Sequence, residues 1–457
     1  MFIETKQYKH SPFVNKQVNL VTTILFIICI IPHSFMIGGQ GVSGNYLFAI
    51  FPIFHYLYSK NFNRPTLEVY LFMALLFCIC IFAFLFQPNY IEISIRRFAS
   101  FAVFMCLFAF MFVRIDSDMI ESFKKAIVLW SIYSSLSVLT LYIDLGGAEL
   151  ATYAKGAVGS TRIGFVYIVA LWIIYFYQTS TFLMTVLKHF IAFIILMGLV
   201  LTFSRASVFA LLISTLSYFL VITINYIKEK KTFIKIAQKL LVSFTYCIAL
   251  TIILHNIFPP AMIQYNKYNE QIKQFAFSSI GLEKSSKTNI SEPGITNISE
   301  PGITNISESN KIYSNNQELK SASKIKKIEN FSSIGYRVYI FNEILDFVIR
   351  NPLTGSGFFG VWIMSDEKVG SAHGQFSDVL FRIGFIGFFV YMYFVFKILR
   401  FLYFKDLSLF ISFIGMLFYG LLHETFKLSQ GAFIFAFLFA MYDQRDYLIS
   451  KSKSSKP

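Results

Sequence analysis

Apolar runs of membrane-spanning length, repeated along nearly the whole chain and broken once by a long polar stretch, constrain this sequence more than any motif in it. A run of ~17–25 apolar residues crosses a bilayer as a helix, since lipid offers the backbone no hydrogen-bond partners and a helix satisfies its own. Twelve such runs are readable, at about residues 18–37, 44–59, 67–87, 98–113, 125–143, 163–178, 186–203, 206–226, 238–257, 379–397, 407–422 and 429–442. Composition agrees: 56% of the 457 residues are hydrophobic, only 14% are charged, and Phe alone supplies 55. Such values exclude an ordinary soluble domain. The expectation is an all-α polytopic membrane protein with about 12 transmembrane helices. It divides into helices 1–9 over residues 1–257, a loop over 258–375, and helices 10–12 with a tail over 376–457. The first run has no small-x-small exit and leads straight into further spans, so a cleaved signal peptide is not expected.

The formal charge of +15 would suit a nucleic-acid partner, but its distribution argues against one. With the N-terminus placed in the cytoplasm, the inner ends and short inner loops hold 21 Lys and Arg, against 6 in the short outer loops. That asymmetry is the positive-inside pattern. The basic excess therefore orients the chain, with both termini inside and the long loop outside. Five cysteines, Cys29, Cys78, Cys80, Cys106 and Cys247, all fall within apolar runs and read as buried structural thiols. Cys78 and Cys80 are about 200° apart on a helix, which suits neither a shared metal nor a disulfide.

The long loop has two unlike parts. From Thr288 to Ser309 it repeats TNISEPGI, and a Ser-, Asn- and Lys-rich continuation follows. Such a composition cannot bury enough apolar area to offset the entropy of ordering it, so residues 258–330 read as a flexible insert. From Ile334 the pattern changes. Val338, Phe341, Ile344, Leu345 and Val348 recur at helical spacing, and Asn351-Pro352 should end that helix. Gly355-Ser356-Gly357 then makes a sharp turn. Residues 334–375 are expected to form an amphipathic segment at the membrane surface, holding Arg337 near the mouth of the helices.

Several charges sit where they cost free energy. Arg205, in Thr202-Phe203-Ser204-Arg205-Ala206-Ser207, lies between two long apolar runs. An ionised side chain there costs roughly 2.5–3.5 kcal/mol if central, and marks a pathway or ligand unless it snorkels to the headgroups. Arg382 has Asp378 four residues before it, so an internal ion pair explains it as well as a site does. Arg162 follows Gly159-Ser160-Thr161 at the outer end of the sixth run, where a membrane anchor is the alternative. His373 precedes the tenth run between Ala372 and Gly374. His423-Glu424 forms a second titratable pair, read more readily as a helix-end polar cluster.

Arg205, Arg337 and His373 share the outer face in this topology, and together they have a chemical meaning. Guanidinium groups bind phosphate oxygens at two points and stay charged. An imidazole with a pKa near neutrality can take a proton from a sugar hydroxyl. No Asp-x-Asp triad and no His/Cys cluster with metal-ligand spacing accompanies them, so neither a metal nor another cofactor is expected.

At these residues the chain resembles the O-antigen ligase and O-antigen polymerase superfamily of bacterial envelope glycan enzymes. The matching pieces are Leu201-Thr202-Phe203-Ser204-Arg205-Ala206-Ser207, then Arg337 in a helix leading to Asn351-Pro352-Leu353-Thr354-Gly355-Ser356-Gly357. The third is His373-Gly374, nine residues, then Gly384-Phe385-Ile386-Gly387. Arg162-x-Gly164 is similar to an earlier Arg-x-Gly of the family, without the Asn-Pro that follows it there. The resemblance implies an undecaprenyl-diphosphate-linked oligosaccharide substrate in the bacterial inner membrane, and a site facing the periplasm. It further implies that Arg205 and Arg337 bind the diphosphate and that His373 is the acceptor base. A flippase and a chain-length regulator of the same pathway would be partners. Ligases of the family often carry Asn, Ser or Gln after this His. Gly374 stands there in this chain, which with the long loop favours a polymerase over a ligase. A transporter of twelve spans would instead show two similar halves and charges near the midplane; neither is seen.

Overall fold

The computed structural model describes residues 16–30, 34–37, 40–43, 62–86, 110–144, 163–202, 204–229, 333–358, 361, 374–425 and 429–454. The expected runs at 44–59 and 238–257, most of that at 98–113, and the TNISEPGI repeats lie outside them. Eleven helices and one small hairpin make up the regular structure of the described residues: α1 Lys16–Ile30, β1 Ser34–Ile37, β2 Gln40–Ser43, α2 Leu67–Phe86, α3 Ser117–Asp144, α4 Gly164–Phe176, α5 Phe182–Leu201, α6 Arg205–Glu229, α7 Ser333–Arg350, α8 Gln375–Lys405, α9 Leu407–Gly420, α10 Ser429–Asp443 and α11 Arg445–Ser454. The chain divides into two compact units, one of Met1–Met262 with Glu343–Pro457 and one of Ile263–Asn342.

The protein is an all-α multi-pass membrane protein. Phe182–Leu201, Ala206–Ile224 and Gln375–Lys405 are long and apolar enough to cross a bilayer, and shorter apolar helices accompany them, including α4 and α9. The first expected run ends early: α1 stops at Ile30, and Ser34–Ile37 pairs antiparallel with Gln40–Ser43. The register pairs Ile37 with Gln40, and Gly38-Gly39 between them is a residue pair that suits a tight hairpin.

Within the larger unit α4 and α10 are the central helices. Both are apolar on all sides, and nearly every described residue of each is buried, as expected of a helix without a polar face. α4 packs against α3, α5, α6 and α9. Close approach depends on small residues, because apolar side chains gain nothing from leaving lipid for another helix. A side chain on Gly198 of α5 would overlap Ser135 of α3, and one on Gly415 of α9 would press on Ile168 and Ser214. Hydrogen bonds between helices add to this: Trp172 Nε1 donates to Ser214 Oγ at 2.9 Å, and the hydroxyls of Ser134 and Tyr167 lie 2.7 Å apart. The abundant Phe fills the space between α1, α3 and α10, where the rings of Phe123 and Phe437 stack at 4.0 Å and Phe26 meets both edge-on.

The end of the bundle at Asp443 is tied by a polar knot. Asp443 accepts from Asn63 Nδ2 (3.1 Å), Thr66 N (2.9 Å) and Thr66 Oγ1 (2.7 Å). Gln444 takes Ile115 N and gives its amide to Val113 O. At the α8–α9 joint, Asp406 caps α9 by accepting from Leu409 N and pairs with Lys124 of α3 at 2.6 Å.

The amphipathic segment after the repeats is helical over Ser333–Arg350 and stops before Asn351, as expected. Its buried stripe is Ile340, Ile344 and Val348, whereas Val338 and Phe341 are exposed. A spacing of four residues keeps the stripe in phase on one face, and Val338 and Phe341 both fall off one edge of it.

Candidate functional site at the Tyr419 end of the bundle

At the end of the larger unit marked by Tyr419, the first turns of α4, α6, α8 and α10 meet the last turn of α9. α4 begins at Gly164, where a side chain would overlap Ser207 of α6 and place its Cβ 3.2 Å from the Tyr419 ring. Phe165 packs on the same ring at 5.6 Å. α6 begins at Arg205, and Ser204 Oγ accepts from Ser207 N at 3.3 Å. α8 begins after Gly374, whose Cβ would lie 3.0 Å from Leu421 O. A side chain on Gly431 of α10 would overlap Thr425 O and press on Phe165. Beyond α9 the chain turns back, with His423 N bonded to Tyr419 O and the two rings 5.1 Å apart.

Four helix N-termini therefore gather around Tyr419–Thr425. Each brings first-turn backbone N–H groups that have no carbonyl partner in a preceding turn of the same helix, and a partial positive charge. The N-caps of α4 and α8, Ile163 and Gly374, provide no side-chain bond to those groups. The polar side chains among them are buried: Ser204, Ser207, Gln375, Asp378, Arg382, Glu424, Thr425 and Gln430. Thr425 Oγ1 donates to Gln375 Oε1 at 3.3 Å. Such an end offers hydrogen-bonding groups in a setting of low dielectric.

A second feature determines how α8 enters this end. Gly384 adopts φ 65° and ψ −173°, breaking the helix, in a region of backbone space that only glycine uses freely. Phe385 N leaves the helix and bonds Pro352 O at 2.8 Å. Phe381 O and Arg382 O instead accept from Ser356 N (2.7 Å) and Phe358 N (2.8 Å). Gly355 (φ 57°) is needed because its Cβ would overlap Phe381 O. The Asn351–Gly357 turn and the Gly384-Phe385-Ile386-Gly387 segment, two separate motifs in the sequence, are thus one interlocked structure.

Of the expected site residues, Arg162 and His373 lie outside the described residues, and of Arg205 only the backbone is described. Their motif neighbours Gly164, Ser204 and Gly374 all belong to the Tyr419 end. Arg337 lies in the second turn of α7, half-buried, in the smaller unit. Arg382 is buried, its Nε 2.8 Å from Asp378 Oδ2, and its Nη1 donates to Phe358 O at 2.8 Å. The ion pair expected from the i,i+4 spacing is therefore present, with an added backbone contact. His423 is half-buried, and Glu424 is buried within electrostatic range of Arg382.

The sequence reading did not single out Gln375, Thr425, Ser207, Gln430 or Tyr419. Their only signal was polarity near the ends of apolar runs, which does not distinguish a site from a membrane boundary. The glycines Gly164, Gly374, Gly420 and Gly431 were a second available signal, since each sits near a helix end.

Residues 190–392 match the model of the family described as O-antigen ligase. The match runs from α5 into α8 and includes Arg205, Arg337, the Asn351–Gly357 turn, His373 and Gly384. No curated protein matches the chain. The helical membrane fold and this match make residues 190–392 similar to the O-antigen ligase and polymerase superfamily.

Proposed function

We propose that the protein is a polymerase of O-antigen or capsular polysaccharide, joining undecaprenyl-diphosphate-linked repeat units at the periplasmic face of the bacterial inner membrane. The observation that carries this reading is the gathering of α4, α6, α8 and α10 N-termini beside the chain neighbours of Arg205 and His373, two residues that lie in the stretch matching the family.

In the reaction, an acceptor sugar hydroxyl attacks the anomeric carbon of the donor glycan. The new glycosidic C–O bond forms as the C–O bond to the lipid diphosphate breaks, and the diphosphate leaves with the bonding pair. Arg205 and Arg337 bind that diphosphate, and the helix N-termini add favourable potential for its charge. His373 takes the hydroxyl proton as the bond forms, a contribution of ~10²–10⁴-fold in rate.

A ligase shares this chemistry and passes the finished glycan to lipid A-core. Gly374 after the histidine favours the polymerase. The glycan profile of a deletion strain tests the assignment: a single repeat unit on lipid A-core identifies a polymerase, and bare lipid A-core with long lipid-linked chains accumulating identifies a ligase.

A further inference from the structure

Arg382 makes two kinds of contact with one residue of the loop before it. Its carbonyl accepts from Phe358 N at 2.8 Å, and its guanidinium Nη1 returns a bond to Phe358 O at 2.8 Å. Nε is held by Asp378 Oδ2 at 2.8 Å, one turn earlier in the same helix. Phe358 is the one non-glycine residue with positive φ (74°) among the described residues. A side chain in that conformation persists only where its surroundings over-determine it. Both bonds to Arg382 do so, and Phe358 is itself buried.

The break at Gly384 makes this clamp consequential. Without an intact helical ladder across Gly384, the segment Gln375–Ile383 is not held in line by the rest of α8. It is held by the loop, through Phe381 O, Arg382 O and the guanidinium. That segment begins at Gly374 against Leu421 and carries Gln375, bonded to Thr425. Only 8% of the Arg382 surface is exposed, which suits a group acting through its neighbours.

We propose that Arg382 is a positioning residue: its guanidinium locks the Asn351–Phe358 loop onto broken helix α8 and so sets the placement of the Gln375–Ile383 segment at the Tyr419 end. Asp378 orients the guanidinium for that task. The kinetic part of this inference rests on the glycosyl-transfer reading; the structural part does not.

The test uses purified full-length protein with Arg382→Lys and Asp378→Asn, each checked for wild-type elution and melting behaviour. Amide hydrogen exchange in peptides covering Ser356 and Phe358 should speed up by about tenfold or more on loss of a charged hydrogen bond. With extracted lipid-linked repeat units as substrate, kcat should fall by about 10²-fold while donor KM stays near the wild-type value, the signature of misplacement. Unchanged exchange in both variants would overturn the clamp. A raised donor KM with kcat retained would make Arg382 a donor-binding group, and faster exchange with normal kinetics would leave it a stability element only; either overturns the positioning role. If the wild-type protein turns over no lipid-linked substrate, the glycosyl-transfer reading fails, and the exchange measurement still decides the clamp.

Discussion

Phe385 N bonds to Pro352 O at 2.8 Å, so a helix in the membrane-spanning part of the chain donates a hydrogen bond to a loop residue 33 positions earlier. Gly384 permits this, because its φ of 65° turns the next N–H out of the helix. Gly384→Ala would place a Cβ 2.6 Å from Pro352 O and 2.8 Å from Gly355 N in a conformation that alanine avoids. The variant should lose about 3 kcal/mol or more of stability. Thermal unfolding in detergent measures this, and an unchanged melting temperature would contradict the interlock.

Asp443→Ala should also destabilise the protein, for a different reason. Three donors, from Asn63 and Thr66, lose their acceptor in a part-buried setting. The loss should be about 1–2 kcal/mol, since three hydrogen bonds to a charged acceptor go and water replaces them only in part. The knot is at the opposite end of α10 from Gly431, so activity per folded molecule should be retained. Comparing folded yield with specific activity separates the two effects.

Arg205→Lys and Arg337→Lys should each lose most activity although the charge is kept. An ammonium cannot make the planar two-point contact that a diphosphate receives from a guanidinium. Normal turnover by both variants would make the arginines membrane anchors or structural ion-pair members.

His373→Ala should reduce transfer by ~10²–10⁴-fold while lipid-linked donor still binds, because only proton removal is lost. EDTA should leave the purified enzyme unaffected. Full inhibition by EDTA, reversed by Mg²⁺ or Mn²⁺, would refute the mechanism, as would normal turnover by the variant. Glu424, buried at the same end, is the nearest alternative base, and Glu424→Gln is the matching control.

The proposed orientation follows from the 21 inner against 6 short outer-loop basic residues. A reporter fused near Gly294 should behave as periplasmic and one near Lys230 as cytoplasmic. Reversal of either would put the proposed site residues on different sides of the membrane.

Much of the helical framework was readable because apolar run length and helix spacing are local properties. The end of α7 before Asn351-Pro352 and the Asp378–Arg382 pair follow from spacing alone. Other features did not. The first strand of the hairpin after Ile30 lies within an apolar run that hydropathy cannot divide. The buried stripe of α7 depends on which face finds partners, so Ile340 was missed and Val338 was misassigned. The meeting of Gly164, Ser207, Gly374 and Tyr419 joins residues up to 255 positions apart.

By itself the sequence determined that this chain is a helical membrane protein, how its charges are distributed along it, and which motifs carry arginine and histidine. Those are set by residue type and short spacing, through the free energy of placing each group in lipid or water. Tertiary structure alone decided that the Asn351–Gly357 turn and Gly384 form one interlock, and that Arg382 faces Phe358 as well as Asp378. It also decided that four helix N-termini share one end. These depend on backbone hydrogen bonds leaving one helix for a distant loop, and on glycines that admit close approach only when a particular neighbour is there to fill the space.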